Sequence, residues 1–336
     1  MHLVRARFMQ NGGEIMKYVC IGAGATGAIT GAFPAIAGEE VWYVDPNKAH
    51  MDAIEKNGLE IRMSTFEKPD DRHIFNVKIH GRTSSEGIGT ADVVILMTKS
   101  CYTRSAVDSM RAVIDEHTII VTLQNGLGNV ELLSEYFDRD RIVYGYTTIS
   151  SVVLAPGVIA PRMPSYHHIV LGCDNDRLRE DIEPMIADYK AGGCDIVVDD
   201  NIQQAIWEKA SMNCGGNGIS ALLRLTARDC FAYEEYMQEY SAIIDEVNAV
   251  AAAKGIHLDQ SIIHRYGAHA HPIETSAIPD TPCSMAQDVC AERLTEIEFL
   301  NGAVVREAKK LGVPVPKNEL VYHIISVLQR TYDKRL

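Results

Sequence analysis

The chain has 336 residues, 46% hydrophobic and 23% charged, a composition typical of globular proteins with well-developed cores. Its 32 basic and 45 acidic residues give a formal net charge of −13, which argues against a general surface for nucleic acids or anionic membranes. No apolar run approaches the roughly 20 residues that a transmembrane helix requires.

The cysteines and the start of the chain indicate the cellular setting. The eight cysteines are scattered without a CxxC pair or metal-ligand spacing, and several lie inside apolar runs. This pattern favours reduced core residues in a cytoplasmic protein over a disulfide framework or a metal site. The segment MHLVRARFMQNGGEI is too short and too interrupted for a secretory signal, so residues 1–15 are expected to be an N-terminal extension.

The first half of the chain, as far as about Asp200, alternates strand-like and helix-like segments. The helix-like segments include Thr26–Ala37 and Thr103–Glu116. The strand-like runs are KYVCIG, EEVWYVD, ADVVILMTK, HTIIVTLQNG and RIVYGYTT, followed by HHIVLG and CDIVVDD. This alternation predicts an α/β domain with a mostly parallel, doubly wound sheet and helices on both faces.

After Asn201 the strand-like runs disappear and long helical patterns replace them. Turn signals such as KGIHLD, IPDTPCS and LGVPVPKN separate these patterns. The sequence therefore predicts an all-helical second domain over residues 201–336, after an α/β domain over residues 16–200. The predicted helices are Gln203–Met212, Tyr233–Lys254, Met285–Leu311 and Asn318–Tyr332.

A glycine-rich turn follows the first strand-like run. In KYVCIGAGATGAITGAF a G-x-G-x-x-G pattern leads directly into a helix. Such glycines permit a tight turn and close approach of a pyrophosphate, while the start of the helix offers free N–H groups. This context predicts dinucleotide binding. The residues expected to bind it are Gly22, Ala23, Gly24, Ala25, Thr26 and Gly27.

Asp45 ends the second strand-like run, where an acidic side chain of this fold hydrogen-bonds the ribose hydroxyls. A carboxylate there would repel a 2′-phosphate, so NAD(H) is favoured as the cofactor. NADP(H) stays possible, because Lys48 lies nearby and could soften that preference.

Lys99 and Asn125 end two further strand-like runs, VVILMTK and IIVTLQN. Ligands of doubly wound sheets bind at the carboxyl ends of the strands, so the glycine loop, Asp45, Lys99 and Asn125 are expected to line one crevice. The alternatives are a solvated lysine at a strand end and a simple Asn-Gly turn.

The helical half carries a polar stripe in WEKASMNCGGNG. Lys209, Asn213 and Asn217 are spaced four residues apart and would project from one side of a helix. On an inward face they require polar partners, which a small polar ligand between the domains could supply. The alternative is a surface lysine and a C-terminal asparagine cap. Gly215 and Gly216 are expected to bend or end this helix.

Ordered motifs from Met16 to the end of the chain resemble those of the ketopantoate reductase family (2-dehydropantoate 2-reductases): GAGATG, TK, QNGLGN, KASMN, SMAQD, TEIEFLNG and GVPVP. The resemblance implies a Rossmann-type domain followed by a helical substrate and dimerisation domain, as in 6-phosphogluconate-dehydrogenase-like folds. It implies NAD(P)H-dependent reduction of 2-dehydropantoate to (R)-pantoate, or the reverse, in pantothenate metabolism, by a homodimer.

The resemblance also implies roles for individual residues. Lys209 would be the catalytic general acid, and Glu296 would hydrogen-bond the substrate hydroxyl. These roles agree with the chemistry, because hydride delivery to a carbonyl builds negative charge on oxygen, and partial burial lowers the pKa of a lysine toward a useful range. The polar ends of the substrate and its junction with the cofactor would be bound by Asn213, Asn217, Ser284, Lys99 and Asn125.

Several of these residues have plainer interpretations. Glu296 is expected at the edge of an apolar helix face, paired with a partner such as Lys209, whereas Glu292 and Glu298 are expected to be solvated. Ser284 could instead be the N-cap of the following helix.

Other assignments remain open. The chain could be a dehydrogenase of another 2-keto or hydroxy acid or of an opine-like compound. It could also be a non-catalytic NAD(H) sensor, although a sensor does not need the Lys209–Glu296 pair. His264, His269 and His271 in HRYGAHAHP could suggest a metal, but a loop or packing role is favoured because no acidic or cysteine ligand lies at useful spacing.

Overall fold

The computed structural model describes residues 15–264 and 280–334. The chain forms two compact units. The first comprises the chain up to Gln124 together with Asn129–Ile202, and the second comprises Asn125–Gly128 together with the chain from Gln203. A four-residue loop from the N-terminal half of the sequence therefore belongs to the second unit.

The first unit contains a large sheet and a small sheet. Its strands are β1 (Lys17–Ile21), β2 (Glu40–Val44), β3 (Leu59–Thr65), β4 (His73–Val77), β5 (His80–Arg82), β6 (Val93–Leu96), β7 (Ile119–Thr122), β8 (Ile142–Thr147), β9 (Ser150–Ala155), β10 (Val158–Met163), β11 (Ile169–Gly172) and β12 (Ile196–Val198).

The large sheet confirms the predicted α/β fold class. Its order is β12-β11-β8-β7-β6-β1-β2-β5, and every neighbouring pair is parallel except β8 and β11. All residues of β6, β7 and β11 are buried, as expected for strands of a parallel sheet that is covered on both faces. The seven strand-like runs of the sequence all contribute strands to this sheet.

Helices of the first unit follow or connect these strands. The first of them confirms the predicted segment Thr26–Ala37 almost to the residue, whereas the helix predicted over Thr103–Glu116 ends at Arg111. The helices are α1 (Ala25–Ala37), α2 (Lys48–Asn57), α3 (Thr103–Arg111), α4 (Asn129–Ser134), α5 (Asp176–Asp181) and α6 (Glu183–Ala191).

The small sheet is a feature that the sequence patterns did not predict. Its order is β4-β3-β10-β9, with β10 parallel to β3 and antiparallel to β9. The turn between β9 and β10 is Pro156–Gly157, with Gly157 at φ +76. A Pro-Gly pair between two apolar runs is the local signal that could have predicted this hairpin.

The second unit is helical. Its helices are α7 (Ile202–Leu223), α8 (Ala227–Phe231), α9 (Glu234–Ala253), α10 (Gln260–Ile263), α11 (Ser284–Cys290), α12 (Asn301–Leu311) and α13 (Pro316–Leu328). A short 3-10 turn, Ile297–Phe299, precedes α12. None of the helices among the described residues has the length and apolarity needed to cross a membrane.

The prediction of one helix over Met285–Leu311 is wrong, because tertiary contacts interrupt it between α11 and α12. Glu292 adopts a left-handed conformation with φ +53, which ends the helical path. Arg293 turns back to bond Asp288 at 3.1 Å, and the Thr295 N–H donates to the Gln329 side chain at 3.0 Å. The apolar period continues through this segment, but the backbone does not follow it.

The expectation that Gly215 and Gly216 bend or end a helix is also wrong, since α7 runs without interruption through both. A Cβ on Gly215 would lie 3.1 Å from the Tyr240 ring, and one on Gly218 would lie 2.3 Å from Val321. The glycines therefore allow α9 and α13 to approach α7 closely.

Candidate active site

The glycine loop after β1 is tightly packed against the neighbouring strand ends. Gly22 has φ +96, and its N–H donates to the Val44 carbonyl at 2.9 Å. A Cβ on Gly22 would lie 2.5 Å from the Thr98 nitrogen, and one on Gly27 would lie 2.0 Å from the Gly22 carbonyl oxygen. Both positions therefore exclude any side chain, as expected for a dinucleotide-binding turn.

The start of α1 offers a site that fits an anion. Gly24 is its N-cap, no side chain caps it, and its first turn holds no acidic residue. A Cβ on Gly24 would meet no atom within 4 Å, so the approach to the N-terminus is open. Unpaired N–H groups at a helix start bind phosphates, so this loop fits the pyrophosphate of a dinucleotide.

Asp45 lies beside the glycine loop. One carboxylate oxygen accepts a hydrogen bond from the Ala23 N–H at 2.9 Å, and the other accepts one from the Asn47 N–H at 2.9 Å. Lys48 pairs with Asp52 at 2.7 Å on the exposed face of α2. Because Lys48 already has a carboxylate partner, the charge next to the loop is dominated by Asp45.

Lys99 is partly buried and directly precedes the 3-10 turn Ser100–Tyr102. Since β1, β2 and β6 are adjacent and parallel, the glycine loop, Asp45 and Lys99 follow the carboxyl ends of neighbouring strands. The structure thus brings these three predicted positions to one edge of the sheet. Asn125, expected at the same edge, lies in the loop that belongs to the second unit.

Gln124 is a buried polar residue that the sequence reasoning did not assign. Its amide nitrogen donates to the Thr98 carbonyl at 2.8 Å and to the Thr103 hydroxyl at 2.9 Å. These bonds tie the end of β7 to the end of β6. The signal for this role was its place in QNGLGN, directly before Asn125.

The second unit brings Lys209, Asn125 and Glu296 together. The Lys209 ammonium donates to the Asn125 carbonyl oxygen at 2.8 Å, and the Asn125 amide nitrogen lies 3.4 Å from a Glu296 carboxylate oxygen. Asn125 therefore bridges the two charged side chains. The prediction that Glu296 lies on a helix face is wrong. It lies immediately before the 3-10 turn Ile297–Phe299.

The electrostatics of this cluster favour a lysine that exchanges protons near neutral pH. Burial lowers the pKa of Lys209 to about 8, and the negative charge of Glu296 acts in the opposite direction. A lysine with a pKa of this size carries a proton at neutral pH and can release it.

The loop that supplies Asn125 rests directly on the turn that follows Glu296. Gly126 has φ +92, and a Cβ there would lie 2.2 Å from the Phe299 carbonyl oxygen. The Leu127 N–H donates to that same oxygen at 2.7 Å. The requirement for glycine after Asn125 is therefore a close backbone approach, which fixes the position of Asn125 relative to Glu296.

The other predicted substrate residues lie on two helices of the second unit, α7 and α11. Asn213 and Asn217 are partly exposed on α7, and Ser284 is exposed in the first turn of α11. The alternative that Ser284 caps α11 is wrong, because the N-cap is Cys283, whose sulfur accepts from the Ala286 N–H at 3.4 Å. The helix starts one residue earlier than that alternative required.

The expectation for the neighbouring glutamates holds for one of them. Glu292 is exposed. Glu298 is not simply solvated, because it pairs with Arg306 and accepts a hydrogen bond from the Tyr322 hydroxyl at 2.8 Å. These contacts anchor the turn after Glu296 to α12 and α13.

Among residues 15–264 and 280–334 there is no group of three or more His, Cys, Asp or Glu side chains arranged to hold a metal ion. His264 lies 3.2 Å from Asp245. His269 and His271 lie outside the described residues. None of the eight cysteines, which all lie in the described ranges, forms a disulfide.

Known proteins resemble the chain over nearly its whole length. The sequence model of "Ketopantoate reductase PanE/ApbA" matches residues 18–175, and that of "Ketopantoate reductase PanE/ApbA C terminal" matches residues 201–329. The 2-dehydropantoate 2-reductase of Streptococcus pyogenes serotype M6 is 28% identical over 317 residues, which cover 90% of this chain and 95% of that protein.

Solved structures show the same fold. The structure of a PanE/ApbA family ketopantoate reductase from Ralstonia eutropha JMP134 has a TM-score of 0.81 at 26% identity, covering 94% of this chain and 99% of that one. D-mandelate dehydrogenase with NADH and anilino(oxo)acetate has a TM-score of 0.82 at 24% identity, covering 95% and 100%. With both family models matched, the chain belongs to the ketopantoate reductase family of NAD(P)-dependent oxidoreductases that act on CH–OH groups.

Proposed function

We propose that this protein reduces 2-dehydropantoate to (R)-pantoate with a nicotinamide cofactor, or catalyses the reverse reaction. The observation that carries the proposal is the cluster in which Asn125 bridges Lys209 and Glu296. A non-catalytic NAD(H) sensor has no need of a partly buried lysine and a carboxylate joined in this way. The named relatives support the choice of keto acid.

Lys209 is the general acid in this proposal. When bound, a reduced nicotinamide supplies the hydride that this chain cannot supply. The Lys209 ammonium stabilises the negative charge that develops on the carbonyl oxygen and gives that oxygen a proton. Burial assists by lowering its pKa to about 8, so that proton release is easier than from a solvated lysine.

Asn125 and Glu296 are the orienting groups. Asn125 accepts from Lys209 through its carbonyl oxygen, which directs the ammonium. Glu296 accepts a hydrogen bond from the Asn125 amide. A carboxylate can accept several hydrogen bonds, so Glu296 can also accept one from the hydroxyl group of a hydroxy-keto acid. Asn213, Asn217 and Ser284 are proposed to bind the polar ends of the substrate, because their side chains are polar and not fully buried.

NAD(H) is the preferred cofactor in this proposal. The glycine loop and the open start of α1 would bind the pyrophosphate, and Asp45 would bind the ribose hydroxyls. Lys99 is proposed to contribute at the junction of cofactor and substrate. The preference is supported by the carboxylate of Asp45 beside the loop and by the Lys48–Asp52 pair, which leaves no net positive charge from that lysine.

A homodimer through the helical unit also belongs to the proposal. It is supported by an apolar stripe on α13, where Leu320, Ile324 and Val327 are 60%, 42% and 60% exposed. Light scattering coupled to size exclusion measures the mass directly: twice 37.1 kDa is expected, and a monomer would contradict it.

The test is the loss of nicotinamide absorbance with purified protein and 2-dehydropantoate, run in parallel with NADH and NADPH. Turnover that is faster with NADH is expected. Other 2-keto acids, such as pyruvate and benzoylformate, serve as matched substrates. Faster turnover of one of these than of 2-dehydropantoate would make that keto acid the assigned substrate. NADH binding without turnover of any keto acid would favour a non-catalytic sensor.

A further inference from the structure

The backbone before Glu296 is held by the end of α13. Gln329 is the C-cap of that helix, and its own N–H donates to the Ile325 carbonyl at 3.0 Å. The Oε1 atom of Gln329 accepts two hydrogen bonds from Thr295, one from the backbone N–H at 3.0 Å and one from the hydroxyl at 2.8 Å. A residue that is anchored through its backbone thus presents one oxygen to both donors of Thr295.

Thr295 depends on that oxygen because it is buried. It is 1% exposed, although the four residues before it, 291–294, are all exposed. Its hydroxyl oxygen also accepts from the Ile297 N–H at 3.3 Å, so the bonds of Thr295 lie on both sides of Glu296. A buried donor that loses its acceptor keeps the cost of its desolvation, so the segment would move to find another partner. The position of Glu296 therefore depends on Gln329.

Further contacts hold the backbone on either side of Glu296. The Tyr332 hydroxyl, also near the end of the chain, donates to the Arg293 carbonyl at 3.1 Å. The Glu296 carbonyl accepts from the Phe299 and Leu300 N–H groups at 3.0 and 3.1 Å. The part of this segment that Gln329 holds is the residue directly before Glu296.

We propose that Gln329 is a positioning residue for the candidate active site: by holding Thr295 it fixes the place of the Glu296 carboxylate. That carboxylate lies 3.4 Å from the Asn125 amide nitrogen, and Asn125 in turn accepts from Lys209. Both bonds from Thr295 end on the oxygen of the Gln329 side chain, so the position requires an acceptor. The inference rests on the proposed function, since its effect on turnover passes through Glu296.

Substitutions at Gln329 separate its acceptor from its bulk. Gln329→Met keeps the length of the side chain and removes the oxygen, whereas Gln329→Glu keeps an oxygen that accepts both bonds. Gln329 is partly exposed, so a charged side chain can reach water there. Thr295→Val is a milder change, since it removes only the hydroxyl and leaves the backbone bond in place. The control is Gln238→Met, at an exposed glutamine of α9.

The KM of the keto acid, the Kd of NADH, the melting temperature and the pH profile of kcat/KM are measured for each variant. Gln329→Met is expected to raise the KM of the keto acid about tenfold, as for one lost hydrogen bond. The break in its pH profile should move to lower pH, because a displaced Glu296 raises the pKa of Lys209 less. Thr295→Val should show smaller changes of the same sign.

The other two variants should behave like the wild-type protein. Gln329→Glu and Gln238→Met are expected to keep the KM of the keto acid and the pH of the break close to their wild-type values. The Kd of NADH should stay within about twofold in every variant, because the substitutions lie in the second unit and the glycine loop lies in the first.

Hydrogen–deuterium exchange of the peptide that spans residues 293–300 follows the same segment without turnover. Faster exchange is expected in Gln329→Met than in the wild-type protein or in Gln329→Glu. If the wild-type protein turns over no keto acid, the proposed function fails, and the exchange rates still decide whether Gln329 holds the backbone at Glu296. Equal exchange in all three proteins would overturn the positioning role.

A purely structural role has a different signature. If Gln329→Met lowers the melting temperature but leaves the KM of the keto acid and the pH break at wild-type values, the positioning role is wrong. It is also wrong if Gln329→Glu loses as much activity as Gln329→Met, because the acceptor would then not be the cause. Should Gln329→Met fail to fold, Thr295→Val decides, and an unchanged KM and pH break in that variant would contradict the proposal.

Discussion

Lys209 carries the largest expected effect of any single side chain, because general acid catalysis typically contributes about 10²–10⁴ in rate. Lys209→Met should lower kcat for keto acid reduction by that order and leave the Kd for NADH within about twofold. Stopped-flow turnover and fluorescence titration measure the two quantities. Lys310→Met, at an exposed lysine of α12, is the control and should retain activity. Equal losses of turnover and of NADH affinity would refute the assignment.

The pKa of Lys209 sets the pH dependence. Reduction requires the protonated amine, so kcat/KM for the keto acid should be level below pH 8 and fall as the pH rises through about 8. The reverse oxidation should show the opposite limb. Because the charge of Glu296 raises the Lys209 pKa, Glu296→Gln should move the break in the reduction profile to lower pH. A break that stays in place would show that Glu296 does not act on Lys209.

Asp45 determines the cofactor preference at the level of a single charge. Repulsion of a 2′-phosphate by a nearby carboxylate amounts to about 1–4 kcal/mol, so Asp45→Asn should raise the NADPH to NADH ratio of kcat/KM about tenfold or more. Asp108→Asn removes a charge of the same sign from an exposed position of α3 and is the matched control. Should both variants change the ratio equally, the effect belongs to net charge rather than to Asp45.

Helix α7 is the element on which the glycine arrangement can be tested. A Cβ on Gly218 would lie 2.3 Å from Val321, so Gly218→Ala should lower the free energy of unfolding by about 1–3 kcal/mol. A Cβ on Gly216 would find its nearest neighbour, the Tyr236 hydroxyl oxygen, at 3.5 Å. Gly216→Ala should therefore be neutral or stabilising by up to about 1 kcal/mol. Chemical denaturation compares the two, and equal losses would contradict close packing as the cause.

The strands of the large sheet could be predicted because their apolar runs are short, rich in Val and Ile and separated by clear helical patterns. The small sheet could not be predicted in this way, since β3 and β4 expose part of each strand and mix polar with apolar residues. The break between α11 and α12 was hidden for a different reason. It depends on contacts of Arg293 and Thr295 that lie outside the local pattern.

The same distinction applies to the candidate site. Residue spacing and a strand end were enough to indicate Lys209 and Asn125, whereas Glu296 was indicated by the resemblance of its segment, TEIEFLNG, to the family. The bridging geometry of Asn125 could not be predicted, since it depends on the close backbone contact between Gly126 and Phe299.

At the scale of the whole molecule, each unit has its own fluorescent reporter. Trp42 lies in the first unit, and Trp207, 3% exposed, belongs to the core of the second, as does Leu127. Leu127→Ala should therefore cost about 2–5 kcal/mol in the transition reported by Trp207, read in a Trp42→Phe background.

The transition reported by Trp42, read in a Trp207→Phe background, should change less. Leu133→Ala, at a buried residue of α4 in the first unit, is the control with the reverse expectation. Urea titrations followed by fluorescence make the comparison. If both variants shift the unfolding transitions reported by the two tryptophans equally, the loop Asn125–Gly128 does not unfold with the helical unit in particular.

That loop also limits how members of the family can exchange parts. A chimera joined at residue 202 would combine one parent's Lys209 and Glu296 with the other parent's Asn125 and Leu127, although the structure groups these residues together. A chimera that keeps this group of residues from one parent needs two further crossovers, one on each side of residues 125–128, so that this loop and the C-terminal half come from the same parent. Recombination at the boundary between the halves is therefore expected to separate side chains of the candidate site, whereas inheritance of the whole gene keeps them together.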